Sequence, residues 1–190
     1  MDLSPDFAAF EAGWARGRNQ LVTVSLPADL DTPVSLMLKL AEAAPQSFML
    51  ESVTGGELRG RYSIVGMKPD LVWECRDGQA RINRQARFSQ DFEDDPRPAL
   101  DSLRALIAES RIEMPEGIPP VAAGLFGYLG YDMIRLVEHL PDVNPDPIGA
   151  PSGIVGLVQD FMRGGAKSSD GAPTWRSRLA TFANMRPGAR

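Results

Sequence analysis

Histidine and cysteine are nearly absent from this chain, with one of each in 190 residues. The lone cysteine, Cys75, excludes an intrachain disulfide and any site built from several thiolates. It suits a reducing compartment, the cytoplasm. The lone histidine, His139, excludes a multi-histidine metal site and leaves little for imidazole-based proton transfer. No apolar run approaches the roughly 20 residues that a membrane span requires. The acidic start, Met1-Asp2-Leu3-Ser4-Pro5-Asp6, is not the basic segment of a secretory signal. Excess positive charge is lacking too. The formal net charge is -5 at pH 7, so neither nucleic acid nor a membrane is an expected partner.

What is present is an ordinary globular composition, 43% hydrophobic and 24% charged. It suffices for one domain with a core of its own, with or without a tail. Charge divides it unevenly. Residues 160–190 hold six Lys/Arg and two Asp/Glu, a balance of +4, which leaves -9 on the first 159 residues. The expected organisation is an N-terminal segment over 1–19, a domain over 20–150, and an atypical tail over 151–190, disordered or foreign to the fold.

Local pattern places the elements. Phe7 to Trp14 is a short amphipathic helix that Gly13 and Gly17 weaken. Leu21 to Leu26 is rich in β-branched residues and reads as a strand closed by Pro27. Thr32 is an N-cap and Pro33 a first helical residue, opening a helix to about Ala44 with Leu36, Met37, Leu40, Ala41 and Ala44 on one face. Phe48 to Leu50 and Arg61 to Val65 are strands around the turn Thr54-Gly55-Gly56, and Lys68-Pro69-Asp70 breaks the second. Asp77-Gly78 fits a type I′ turn, which pairs Cys75 with Ala80, Glu74 with Arg81, and Trp73 with Ile82. One hairpin face is then apolar and the other holds an opposite-charge pair. Acidic Phe88 to Pro98 reads as loop. A helix over Ala99 to Ser110 buries Leu100, Leu103, Leu106 and Ile107. Val121 to Met133 reads as a buried strand with a tight bend, Ile134 to Leu140 as a helical turn, and Pro141 to Pro151 as a loop. The fold class is α+β, mainly antiparallel sheet with flanking helices.

Few motifs carry chemistry. Glycines every third residue in Gly124-Leu125-Phe126-Gly127-Tyr128-Leu129-Gly130 are not a phosphate-binding loop and suit close strand packing. Asp142 to Asp146 lacks the spacing of a calcium loop. Cys75 reads as a small core residue, and His139 as a surface or capping group. The informative stretch is Phe48 to Gly66. There an apolar run ends in Glu51-Ser52, turns through glycines and returns with Arg59 and Arg61. Glu51 and Ser52 can simply end a strand, and the arginines can simply be solvated. Together they also suit a small zwitterion: a carboxylate and a hydroxyl for its ammonium, and a cation for its carboxylate.

Four segments in order resemble the N-terminal region of anthranilate synthase component I. They are Asp31-Thr32-Pro33-Val34-Ser35, Phe48-Met49-Leu50-Glu51-Ser52-Val53, Gly60-Arg61-Tyr62-Ser63-Ile64-Val65-Gly66, and Ala123 to Asp132. The resemblance covers about residues 20–150 and implies a share in the larger sandwich of that enzyme. Aminodeoxychorismate synthase component I is the nearest competitor, and a non-catalytic regulatory or docking module is the alternative of another class. The resemblance implies an L-tryptophan feedback site in which Leu50, Glu51 and Ser52 take part, with Arg59 or Arg61 as the accompanying cation. It implies a glutamine amidotransferase component II as partner and chorismate as the full-length enzyme's substrate. By the same resemblance, Mg²⁺ and the catalytic residues of this lyase are expected in a C-terminal domain outside this sequence. No catalytic residue and no metal ligand is therefore expected here, and the likeness is expected to fade after about Pro147. The chain alone is expected to be inactive and to associate through an uncovered apolar face.

Overall fold

The computed structural model describes residues 3–27, 30–40, 45–51, 62–116, 118, 120–141, 145–165 and 176–183. Antiparallel strands with a few helices make an α+β fold, as the sequence predicts. The chain divides into two compact units, one of residues 1–68, 112–123 and 158–190, the other of 69–111 and 124–157.

In the first unit, β1 (Leu3–Ser4) pairs with β2 (Gln20–Pro27), which pairs along its whole length with β9 (Arg176–Ala183). Helix α1 (Phe7–Ala15) starts where the Asp6 carboxylate accepts the Ala9 N–H at 2.8 Å, an N-cap that answers an otherwise orphaned donor. Helix α2 (Pro33–Leu40) is capped reciprocally. The Ser35 N–H donates to Thr32 Oγ1 at 3.1 Å, and the Thr32 N–H donates to Ser35 Oγ at 2.9 Å. Its Leu36 and Met37 pack on Val65, Met67 and Met49. The continuation of this helix to Ala44 lies outside the described residues.

Strand β3 (Phe48–Glu51) runs antiparallel to β4 (Tyr62–Arg76). The break expected at Lys68-Pro69-Asp70 is instead a passage within one strand. Lys68 takes a φ of 51°, and the division between the two units falls between it and Pro69. Proline lacks the N–H a ladder needs, so the strand's pairing changes there without its direction being lost.

In the second unit, β4 and β5 (Gln79–Asn83) form the hairpin in the register the turn predicts, Cys75 opposite Ala80, Glu74 opposite Arg81, and Trp73 opposite Ile82. Asp77 and Gly78 have φ of 49° and 77°, the pair of positive values a type I′ turn demands. Trp73, Cys75, Ala80 and Ile82 form the core with Ala99, Leu103 and Leu106 of α3 (Ala99–Glu109). Ile107 was expected inside and is exposed. Ser102 holds the centre of the buried stripe, and Ile107 lies at its rim.

Two further expectations are corrected. The acidic loop expected over Phe88–Pro98 contains β6 (Glu93–Pro98), which pairs with β5 across a register shift. Its composition is poor for a strand, but only Asp95 points inward, and edge positions tolerate charge and proline. Val121–Met133 is no single bent strand. A 3-10 helix (Pro120–Ala123), β7 (Leu125–Leu129) and a second 3-10 helix (Tyr131–Leu136) share it. A Cβ on Gly127 would overlap the Ile154 carbonyl, so the glycine serves close strand approach, as read.

The described residues 153–165 and 176–183 belong to the sheet and not to a tail outside the fold. β8 (Gly153–Gly165) pairs with β7 through Gly153–Leu157, and Asp160–Arg163 pair with β9. Strand pairing needs backbone groups and an apolar run, here Ile154-Val155-Gly156-Leu157, and a count of charges reports neither. Residues 166–175 lie outside the described residues.

Candidate functional site

The register of β3 against β4 fixes the geometry of the stretch singled out in the sequence. Phe48 faces Gly66, Met49 faces Val65, Leu50 faces Ile64, and Glu51 faces Ser63. Alternation along a strand sends neighbours to opposite faces. Met49 and Glu51 therefore share the face that α2 covers, with buried Val65 and Ser63 opposite them. Phe48 and Leu50 lie on the other face. A Cβ on Gly66 would clash with the Phe48 ring, so glycine there lets the ring lie flat on the strand.

Glu51 is exposed at the strand's end, and Leu50 is half exposed. The arrangement thus offers an accessible carboxylate beside a hydroxyl residue on one face and an apolar surface on the other. A ligand that uses the Glu51 carboxylate must approach at the end of β3, where an ammonium can be met without being buried. Leu50 supports that end from the opposite face. Ser52, Arg59 and Arg61 lie outside the described residues. Ser63 was not singled out in the sequence; counting outward from Gly55-Gly56 pairs Glu51 with Gly60, three residues short of the partner the structure gives it.

A second polar cluster escaped the sequence altogether. Trp73 is fully buried, and its indole N–H donates to Ser102 Oγ at 3.0 Å. The Ser102 hydroxyl donates to Asp95 Oδ2 at 2.7 Å. Asp95, 6% exposed, also accepts the Arg97 backbone N–H at 3.0 Å and the Arg97 guanidinium Nε at 2.8 Å. The guanidinium holds the Asp95 carboxyl well below the usual carboxylate range, with the Ser102 hydroxyl assisting and burial opposing. Arg97 is raised in turn by that carboxylate. Trp73, Ser102 and Asp95 are buried and the exposed Arg97 closes the cluster from outside, so it joins hairpin, β6 and α3 rather than offering a reactive group. The only sequence signal was a tryptophan on a buried face, whose N–H needs an acceptor.

Nearby, Glu74 is 4% exposed and accepts from Arg76 Nε at 3.2 Å and Arg81 Nη1 at 3.1 Å. The Cys75 thiol is pushed up by burial, which suits a core residue and not a nucleophile. Among the described residues, no three His, Cys, Asp or Glu side chains converge as a metal set. Among them, too, no helix is long and apolar enough to cross a membrane.

No family model matches the chain. Individual proteins do. Anthranilate synthase component 1 of Cereibacter sphaeroides is 62% identical over 177 residues, 90% of this chain and 35% of that protein. The chain is homologous to the N-terminal part of anthranilate synthase component 1. The same-named protein of Pseudomonas aeruginosa is 42% identical over 71% of this chain and 27% of its own length. That of Thermus thermophilus is 39% identical over 65% of this chain and 25% of its own. A solved anthranilate synthase component I from Streptococcus pneumoniae aligns at 20% identity and a TM-score of 0.46, over 79% of this chain and 30% of that one.

The chain spans about a third or less of the length of these curated relatives. A match over 90% of the chain also runs past Pro147, where the likeness was expected to fade. With β8 in the sheet, that expectation is corrected twice over.

Proposed function

We propose that this chain acts as the N-terminal portion of component I of anthranilate synthase and supplies half of an L-tryptophan feedback site. The 62% identity to a curated relative, reaching across 90% of the chain, carries the reading. The whole enzyme converts chorismate and glutamine-derived ammonia to anthranilate and pyruvate in tryptophan biosynthesis, in the cytoplasm. Component II, a glutamine amidotransferase, supplies the ammonia. Chorismate and Mg²⁺ are handled by the polypeptide that the curated relatives carry outside the matched part. The relatives reported above favour this branch over the aminodeoxychorismate one.

In the feedback site, the Glu51 carboxylate accepts hydrogen bonds from the ligand's ammonium at the end of β3. Ser52 adds a hydroxyl, Leu50 backs the site, and Arg59 or Arg61 pairs with the ligand's carboxylate. An exposed carboxylate at a strand end, opposite Ser63, supports the first role. The test places Glu51→Gln in the full-length enzyme. A charge-assisted hydrogen bond is worth about 1.5–3 kcal/mol, so the inhibition constant for tryptophan should rise about tenfold or more. Unchanged inhibition would remove Glu51 from the site. Given chorismate, ammonium and Mg²⁺, the isolated chain should release no anthranilate, and anthranilate fluorescence from it would contradict the proposed division of labour.

A further inference from the structure

Two antiparallel pairs along β4 set a glutamate against a facing residue, and the two are answered differently. In the hairpin, Glu74 stands opposite Arg81, and its carboxylate accepts from Arg81 Nη1 at 3.1 Å. Opposite charge on facing positions is the ordinary solution. Glu51 of β3 instead faces Ser63 of β4. A serine brings no charge, so the carboxylate stays available to a cation from outside.

Facing residues of an antiparallel pair project to one side, with Cβ atoms about 4.5–5.5 Å apart. The Glu51 carboxylate and the Ser63 hydroxyl therefore border one space at the end of β3. Among the described residues, none gives either side chain a hydrogen bond or an ion pair. For exposed Glu51 that is unremarked, since water serves it. For Ser63, only 9% exposed, it is not. Native proteins leave few buried polar groups unanswered. Among the described residues, the unpartnered side-chain oxygen sealed wholly from the surface belongs to Ser47. The Ser63 oxygen thus keeps part of its residue's small exposure and can be reached. Its strand is also held in place. Val65, two residues on and on the same face, is buried and packs with Met49 and the α2 residues Leu36 and Met37. A hydroxyl fixed in this way loses little freedom when a ligand arrives.

We propose that Ser63 is a second acceptor for the ligand ammonium that Glu51 receives. This rests on the reading that Glu51 belongs to the feedback site. An ammonium carries several N–H donors, and a hydroxyl oxygen accepts through its lone pairs. Glu51 takes one donor and supplies the charge, and Ser63 takes another from the facing strand. An arginine in place of Ser63 would neutralise Glu51 within the protein, as Arg81 does for Glu74. An apolar residue there would leave the ammonium one acceptor short.

The test places Ser63→Ala in the full-length enzyme and follows inhibition by L-tryptophan, the KM for chorismate and thermal unfolding. The inhibition constant should rise about tenfold, the loss expected for one hydrogen bond to a charged group. The KM for chorismate should not change. Without tryptophan the variant should unfold no earlier than the unaltered enzyme, because the hydroxyl removed has no partner among the described residues. The rise in unfolding temperature that tryptophan produces should shrink. An unchanged inhibition constant, with Glu51→Gln still raising it, would overturn the role of Ser63 and leave the feedback reading standing. Inhibition unchanged in both variants would overturn both. Weaker inhibition accompanied by earlier unfolding of the ligand-free variant, or by an altered KM for chorismate, would assign the hydroxyl to the fold and overturn the proposal.

Discussion

Trp73 is wholly buried, so its indole N–H has to be answered inside the protein, and Ser102 answers it. Ser102→Ala leaves that donor without a partner in a dry setting and removes one of the hydrogen bonds to Asp95 Oδ2, which keeps the Arg97 guanidinium. A buried unsatisfied group costs about 1–3 kcal/mol, and urea unfolding followed by tryptophan fluorescence should show a loss of that size. Asp95 adds a dependence on pH. Its folded-state pKa is depressed, so its contribution is complete above the unfolded carboxylate value of about 3.9 and is lost as pH falls towards the folded value. Asp95→Asn should cost about 2 kcal/mol at neutral pH and flatten the acid limb of the stability curve below about pH 4. An acid limb as steep as that of the unaltered chain would assign the effect to other carboxylates.

Among the elements, the β4–β5 hairpin is the best determined, because its turn and its pattern agree. Gly78 has a φ of 77°, and an L side chain pays about 1–2 kcal/mol in that region. Gly78→Ala should lower stability by about that much while the register persists. Gly127→Ala is harsher in kind. The added methyl would meet the Ile154 carbonyl, so β7 must move off β8, at a cost of about 1–3 kcal/mol. Amide exchange should quicken along Leu125–Leu129 before it quickens in the hairpin. Exchange rising equally in both would mean that the two pairings open together. β6 stands at the other extreme. Its strand form depends on partners remote in sequence, such as Gln79 Nε2 donating to the Asp95 carbonyl at 2.7 Å.

At the scale of the whole molecule, the proposed feedback site is shared with other polypeptide and should be weak in this chain alone. The isolated chain should give no measurable heat with L-tryptophan at concentrations that saturate the full-length enzyme. Tight binding would mean that Phe48–Gly66 forms a complete site. The sequence by itself determined what depends on near neighbours: the hairpin register from Asp77-Gly78, the α2 cap from Thr32, the strand leading to Glu51, and the exclusion of disulfide and multi-histidine chemistry. Such features follow from backbone dihedrals and period, which a short segment carries within itself. Tertiary structure alone decided the membership of residues 153–165 and 176–183 in the sheet, the conversion of an acidic stretch into β6, and the chain from Trp73 through Ser102 to Asp95 and Arg97. It also decided that Leu50 and Glu51 serve opposite faces. Each of these depends on which distant backbone or side chain arrives to satisfy a buried polar group, and no local pattern encodes that arrival.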